Sequence, residues 1–457
     1  MEGLGVLIMA AGKGTRMRSA RPKALQPMMG LPMLDWLLRA VAACGEACET
    51  AVLVGSGGEE LAAWLSGSPV TVLWQREQLG TGHAVQSARG WWERLDALAV
   101  INGDMPLLRP EALASLIGRF QDEGLDCVLG TSIADDPTGY GRVIRGEGGA
   151  RVVEHRDATE EERAVREVNA GCYVFRTAAL ARVIDRIGAD NAQGERYLPD
   201  VLALMSGEGM RVEAHVLPTE DAFGVNDQLE LARAASAMRD RILRGWMERG
   251  VRVMDPASTW VGPDVELAPD VTLWPGAQLW GRTRIGEGST IGTGCVLTDA
   301  ELGRRVALGP YTVVEGSELR DHVSAGPFAY IREGCLLQEH AFAGKFVELK
   351  KTTVGRDSKV PHLSYMGDAT LGEGVNIGAG TITCNYDGRD KHPTIIGDGC
   401  FVGSDTMLVA PAELGAGATT AAGSVITSTV PAGALGVGRA RQRNIEGWSL
   451  RKGRTGR

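Results

Sequence analysis

The chain has no G-x-x-x-x-G-K-[ST] segment and no G-x-G-x-x-G segment, so neither a P-loop nor a dinucleotide-binding turn supports a nucleotide site here. No apolar run approaches the ~20 residues that span a bilayer, which excludes membrane insertion as the expectation. The opening Met1-Glu2-Gly3-Leu4 carries no basic n-region of the kind that begins a secretory signal. Eight cysteines occur, none in a C-x-x-C pair, and the nearest two, Cys44 and Cys48, fall on a predicted helix where core packing explains them better than a metal. Free thiols without a secretion signal fit a cytoplasmic protein. The formal charge of −9 argues against broad binding to nucleic acid or membrane surfaces.

What is present is 457 residues, enough for two or three domains, with the 44% hydrophobic and 23% charged residues of an ordinary globular protein. The 62 glycines are in excess of the usual ~7%, and the second half carries them at a short period.

In the first half, short apolar runs alternate with helical patterns. Val6–Met9, Ala51–Val54, Val70–Leu73, Ala97–Ile101 and Cys127–Thr131 read as strands; Met33–Ala43, Glu59–Leu65 and Pro110–Glu123 read as helices. That alternation predicts a mostly parallel sheet covered on both faces, with a ligand beyond the carboxyl ends of the strands. Polar clusters fall there. Met9-Ala10-Ala11-Gly12-Lys13-Gly14 follows the first strand, and Lys13, Arg16 and Lys23 can share the charge of a nucleotide phosphate held by its glycine turn. Gln75, Gly80 and Thr81 follow the third strand and can hydrogen-bond a base edge. Asn102-Gly103-Asp104 ends another, where a carboxylate beside a phosphate site suits Mg²⁺. Gly141, Glu154 and Asn169 can grip sugar hydroxyls. Asn226 reads as the N-cap of the next helix and as a second neutral oxygen for the metal.

Gln228 to Arg249 holds one apolar stripe, Leu231, Ala235, Met238, Ile242 and Trp246, and predicts a long linking helix stopped at Gly250. From about Val261 the period becomes six: Leu267, Leu273 and Leu279; Ile285, Ile291 and Leu297; Ile396, Val402 and Leu408. A hexad suits a parallel β-helix, one hexad per face, and repeated triplets of hexads make it a three-sided prism. Its interruptions carry Arg332, Lys345, Lys350 and Lys351, basic enough for a phosphate. They also carry His362, the side chain suited to general base catalysis near neutral pH. The tail from Arg439 holds seven basic residues and one acid, by default a solvated terminus. The residues alone leave room for a prism that is only a scaffold, or for a non-enzymatic assembly.

Order and spacing narrow this. Met-Ala-Ala-Gly-Lys-Gly-Thr-Arg-Met at 9–17, Gln-Leu-Gly-Thr-Gly-His-Ala at 78–84 and Val-Glu-His-Arg-Asp-Ala-Thr at 153–159 resemble the nucleotidyltransferase domain of sugar-nucleotide pyrophosphorylases, with Met9 in place of Leu and Asn102 where Tyr is expected. His-Leu-Ser-Tyr at 362–365, Asn-Ile-Gly-Ala-Gly-Thr at 376–381, Cys-Asn-Tyr-Asp-Gly at 384–388 and Phe-Val-Gly-Ser-Asp-Thr at 401–406 are similar to the second half of bifunctional uridylyltransferase/acetyltransferases. The resemblance covers nearly the whole chain. It implies a Rossmann-like uridylyltransferase domain at 1–227, a linker helix at 228–250 and a left-handed parallel β-helix of hexapeptide repeats at 251–457. It implies acetyl transfer from acetyl-CoA to glucosamine 1-phosphate, then Mg²⁺-dependent uridylyl transfer from UTP, feeding cell-envelope synthesis; a single-activity pyrophosphorylase is the alternative. His362 would be the base. Arg332, Lys350, Tyr365 and Asn376 would bind the sugar phosphate, and Ala379, Asn385, Tyr386, Ser404, Ala422 and Arg439 the coenzyme. Arg16 and Lys23 would stabilise the transferring phosphate. Met9–Gly12, Gln75, Gly80, Thr81, Asn102–Asp104, Gly141, Glu154, Asn169 and Asn226 would bind the nucleotide sugar, with Asp104 and Asn226 on the metal. A homotrimer through the β-helix is the implied assembly.

Overall fold

A computed structural model describes residues 3–46, 48–146, 149–191 and 194–451. The last six residues of the basic tail, 452–457, lie outside the described residues. The chain divides into two compact units, 1–238 and 239–457.

In the first unit the strands are β1 (Leu4–Ala10), β2 (Cys48–Gly55), β3 (Thr71–Gln75), β4 (Ala97–Asn102), β5 (Cys127–Ile133), β6 (Arg142–Gly146), β7 (Gly149–Val153), β8 (Glu167–Arg176) and β9 (Val212–Val216). They form one sheet in the order β9-β5-β8-β4-β1-β2-β3, with the β6–β7 hairpin attached to β8. β1 runs parallel to β2 and β4, β2 to β3, and β9 to β5. The near-continuous apolar sequence of β1 and β4 fits strands buried on both faces, and two separate clusters of buried side chains, one per face, bear this out. β8 breaks the parallel pattern: it is antiparallel to both neighbours, β4 and β5. The five expected strands and three helices are present, each strand longer than its apolar run. Cys48 is not on a helix as expected but opens β2, while Cys44 caps the preceding helix; all eight thiols are free.

The long helix spans Gln228–Glu248, and the two units divide inside it. Leu231, Ala234 and Met238 are its buried residues in the first unit, so the stripe passes through Ala234 rather than Ala235. Leu243 belongs to the core of the second, with Ile242 and Trp246 packed against it. Gly250, at φ 92°, ends the helix in the left-handed region where glycine carries no Cβ penalty.

The second unit is built of two- to four-residue strands in three parallel sheets of eleven, ten and nine. Successive strands of one sheet are about three hexads apart: Thr272 pairs with Thr290, Thr290 with Ala307, and Ala307 with Ser324. The hexad aliphatics point inward, and the continuous core includes Leu273, Ile291, Leu308, Ala325, Ala343 and Val360. This is the expected three-sided β-helix. A longer interval, Asn376 to Phe401, accommodates a loop between Cys384 and Thr394.

Candidate functional site

Beyond the carboxyl ends of β1, β3 and β4 lies a cavity of about 470 Å³. Met9, Ala10, Ala11, Gly12 and Lys23 line it, with Gln75, Gly80, Thr81, Asn102, Gly103 and Asp104. The structure thus brings this set of residues together around one cavity. Gly80, at φ 107°, has the Arg196 backbone so close that a Cβ would collide with it, which is why only glycine serves there. The Gln75 amide donates to the Gly80 carbonyl at 3.2 Å and meets His83 Nδ1 at the same distance. The Thr81 hydroxyl is occupied in another task, accepting from Leu198 N at 2.9 Å. Asn102 lies against the Cα of Gly171.

At the cavity mouth the Lys23 ammonium sits 2.5 Å from Asp104 Oδ2 and 3.0 Å from Asn226 Oδ1, and Arg16 donates to the same Asn226 oxygen at 2.8 Å. Asp227, not Asn226, caps the long helix: its Oδ1 accepts from Glu230 N at 2.9 Å, while Glu230 Oε2 accepts from Asn226 N. That division of labour frees the Asn226 amide oxygen for the site. A cation already stands between the two oxygens proposed for magnesium, and a carboxylate with an amide carbonyl is a hard donor pair, so Mg²⁺ fits.

Gly141, Glu154 and Asn169 gather separately, around the β6–β7 hairpin. Asn169 N donates to Gly141 O at 2.9 Å, and the Asn169 amide to the Tyr173 hydroxyl at 2.6 Å. Burial pushes the Glu154 carboxyl up, with Asp157 and Asp200 adding to it. The sequence did not single out Arg142 for a role of its own. Its buried guanidinium donates to Arg163 O, Tyr140 O and His155 Nδ1, so it ties the Gly-Tyr-Gly turn to the segment that carries Glu154.

On the prism, residues far apart in sequence share one corner. Gly380 N donates to His362 O, Asp405 N to Ala379 O, and Gly423 N to Ser404 O. Each acceptor precedes a residue with positive φ: Leu363 (46°), Gly380 (77°) and Asp405 (59°), with Gly423 (71°) following Ala422 on the next coil. His362, Ala379, Ser404 and Ala422 thus occupy equivalent places on consecutive coils, and Arg439 follows Gly438, which accepts from Val425 N one coil on. The His362 ring is exposed, and no side chain among the described residues hydrogen-bonds it.

One face of the prism, the strand Tyr365–Gly367, leads from this corner to a cationic one. Arg332 and Lys350 stand in register with Gly367, and Lys391 of the inserted loop comes against Lys350. The Lys391 ammonium, with Arg332 behind it, pulls the Lys350 amine below its ordinary value. Arg332 keeps Glu348 at 2.9 Å but leaves its buried Nε without a partner. A Cβ on Gly367 would strike the Tyr365 hydroxyl and come within 2.7 Å of Asn385 Nδ2. Glycine therefore opens the column where Tyr365 and Asn385 converge above the cations. Glu348 pairs with Arg332 and Asp368 acts on Lys350, but three cations gathered at one point still suit a multiply charged anion. Lys391 was missed by the sequence reading. One chain does not bring all the expected coenzyme residues together: Asn385 and Tyr386 lie at the cationic end of the face, while Ala379, Ser404, Ala422 and Arg439 line the His362 corner. Asn376 lies on the adjoining face, paired with Lys359.

The model of the MobA-like NTP transferase domain matches residues 6–184, and that of the bacterial transferase hexapeptide (six repeats) matches 393–428. Curated relatives named bifunctional protein GlmU extend the similarity to both units. That of Thermus thermophilus is 48% identical and that of Heliobacterium modesticaldum 45%, each over 98% of both chains. That of Fervidobacterium nodosum is 44% identical over 98% of this chain and 97% of its own.

Proposed function

The chain belongs to the bifunctional GlmU family, and from that premise we propose that its two halves make UDP-N-acetylglucosamine in consecutive steps. It is a bifunctional transferase, a nucleotidyltransferase at the N-terminal end and an acyltransferase on the hexapeptide prism. The observation that carries the two-step reading is that one chain holds two chemically distinct sites: cations on an acid–amide pair beyond a parallel sheet, and a cationic column beside a histidine corner on a prism.

In the first step the phosphate of glucosamine 1-phosphate lies on Arg332, Lys350 and Lys391, with Tyr365 and Asn376 toward the sugar. His362 takes the proton of the sugar ammonium, and the free amine attacks the thioester carbonyl of acetyl-CoA. The C–N bond forms, the C–S bond breaks, and coenzyme A leaves as the thiol. The coenzyme runs along Ala379, Ser404, Ala422 and Arg439, with Asn385 and Tyr386 completing its groove. The division of these residues between two corners supports a homotrimer in which neighbouring prisms close the groove.

In the second step the anionic phosphate of N-acetylglucosamine 1-phosphate attacks the α-phosphorus of UTP, and pyrophosphate leaves. The nucleophile is already charged, so catalysis is positioning and charge neutralisation. Gln75, Gly80 and Thr81 hold uracil, while Gly141, Glu154 and Asn169 hold the sugar. Arg16 and Lys23 stabilise the transferring phosphate. Asp104 and Asn226 would hold Mg²⁺, which when bound neutralises phosphate charge. The functional domains are 1–227 and 251–457, joined by the helix 228–250, and the reactions belong to the cytoplasm.

A fragment ending at Arg249 separates the halves. It should release pyrophosphate from UTP and N-acetylglucosamine 1-phosphate at a rate close to that of the full chain, release no thiol, and run as a monomer in light scattering. A trimeric fragment would contradict the prism as the assembly device.

Lys23 gives a second test. Its ammonium competes with the metal for Asp104 and Asn226, and a partly exposed ion pair contributes about 1 kcal/mol. Lys23→Met should therefore bind Mg²⁺ about fivefold more tightly without nucleotide in titration calorimetry, while losing uridylyl transfer. Weaker Mg²⁺ binding by this variant would remove the metal from that pair.

A further inference from the structure

The loop that carries Lys391 has almost nothing apolar to hold it. Tyr386 and Lys391 form a single antiparallel bridge, and His392 N donates to Asn385 O at 2.8 Å to close the base. Tyr386 is 59% exposed, and its hydroxyl reaches only the Gly388 carbonyl of the same loop. Of the four side-chain hydrogen bonds within this short excursion, one side chain makes three. Asp387 Oδ1 accepts from Arg389 N and from Asp390 N, both at 2.8 Å, and Oδ2 meets His392 Nε2 at 2.7 Å. The two amide donors and the ring nitrogen span the loop from its tip to its base. The Asp390 amide, then the His392 ring and the Arg389 amide, hold the Asp387 carboxyl well below the usual carboxylate range. It is therefore an acceptor at neutral pH, with His392 the donor. All three bonds are to the loop itself.

Lys391 needs such a restraint. It faces Lys350, with Arg332 nearby, and these like charges repel, only partly offset by Asp368 beside Lys350. A loop free to relax would carry Lys391 out to water, leaving two cations at the column. We propose that Asp387 is the positioning residue of the acetyltransferase site: its carboxylate fixes the 386–392 loop so that Lys391 stays against Lys350 and completes the receptor for the substrate phosphate. The proposal rests on the reading of Arg332, Lys350 and Lys391 as that receptor, and it adds a residue that touches neither substrate.

The test uses the full chain and four variants, Lys391→Ala, Asp387→Ala, Asp387→Asn and the double alanine, each assayed for thiol release at varied glucosamine 1-phosphate and varied acetyl-CoA. Pyrophosphate release by the N-terminal half serves as the folding control. Lys391→Ala and Asp387→Ala should each raise KM for glucosamine 1-phosphate about tenfold, with kcat and the KM for acetyl-CoA within about threefold of the parent chain. The double variant should be no worse than Lys391→Ala, because Asp387 acts only through Lys391. Asp387→Asn keeps one carbonyl acceptor for the two amides and should fall between. Multiplication of the two effects, to about a hundredfold, would overturn the proposal, as would a rise in the acetyl-CoA KM alone. So would an unchanged KM in Asp387→Ala when Lys391→Ala raises it. An unchanged KM in Lys391→Ala would instead bring down the phosphate receptor itself. Should Asp387→Ala disturb the prism edge, Asp387→Asn decides: a parent-like KM beside a raised Lys391→Ala value counts against the positioning role.

Discussion

His362→Ala should slow acetyl transfer by about a thousandfold and leave uridylyl transfer unchanged. A positioned general base contributes roughly 10²- to 10⁴-fold, and the substrate amine, a cation at neutral pH, cannot attack a thioester until its proton is removed. The structural setting favours a clean loss. The imidazole is exposed at a prism corner, its backbone carbonyl holds Gly380 N, and its side chain supports no other part of the chain among the described residues. Alanine keeps the backbone bonds, so the coil should stay folded and the thermal midpoint should hardly move. The lost rate should recover partly as pH rises and more substrate amine is free. Thiol release measured from pH 6 to 9 checks both statements; a variant that lost both reactions equally would be a folding defect and not a missing base.

Asp104→Ala should produce the opposite pattern, a loss of about 10²- to 10³-fold in pyrophosphate release with thiol release intact, the scale expected when one preorganised charge contact is removed from a transferring phosphate. The carboxylate lies where β4 ends, one backbone bond from the Asn226 loop: Asp104 O accepts from Val225 N at 2.9 Å. That bond survives in alanine, so the loop should keep its place. What is lost is the oxygen that holds Lys23 at 2.5 Å and, by our reading, magnesium. Asp104→Asn separates these roles, since an amide oxygen can still accept from Lys23 but offers no charge to a divalent ion. Full Mg²⁺-dependent activity in Asp104→Ala, measured by pyrophosphate release, would refute the metal assignment.

The parts of this molecule that were legible in the sequence were those encoded by local period. A hexad with aliphatics at every sixth position admits few structures besides a stacked coil, and Leu273, Ile291 and Leu308 sit inside as that period requires. The buried strands β1 and β4 were similarly plain, because a strand covered on both faces is apolar at every position. The direction of β8 was not legible: Glu167–Arg176 is a mostly apolar run that reads the same parallel or antiparallel, and its direction follows from the chain's route through the β6–β7 hairpin. The capping role given to Asn226 fell to Asp227, a one-residue shift decided by which side-chain oxygen reaches Glu230 N. Lys391 was invisible for another reason. It is a single lysine in a polar loop past the end of a hexad run, and only the stacking of coils 17 to 25 residues apart, seen in pairs such as Lys359 with Asn376 and Asn376 with Phe401, turns it toward Lys350. Motif order identified the family; coil register is what brought together the residues proposed for acetyl transfer.

The central claim is that one chain performs two reactions in a fixed order. The measurement that tests it most directly follows free thiol and pyrophosphate together, in one vessel, as acetyl-CoA is added to the full chain with glucosamine 1-phosphate, UTP and Mg²⁺. The account predicts little pyrophosphate before acetyl-CoA is added, an immediate release of thiol after it, and pyrophosphate that follows with a lag and approaches the same amount. Pyrophosphate released at full rate without acetyl-CoA, or no thiol at any time, would contradict it and leave a single-activity pyrophosphorylase on a structural prism.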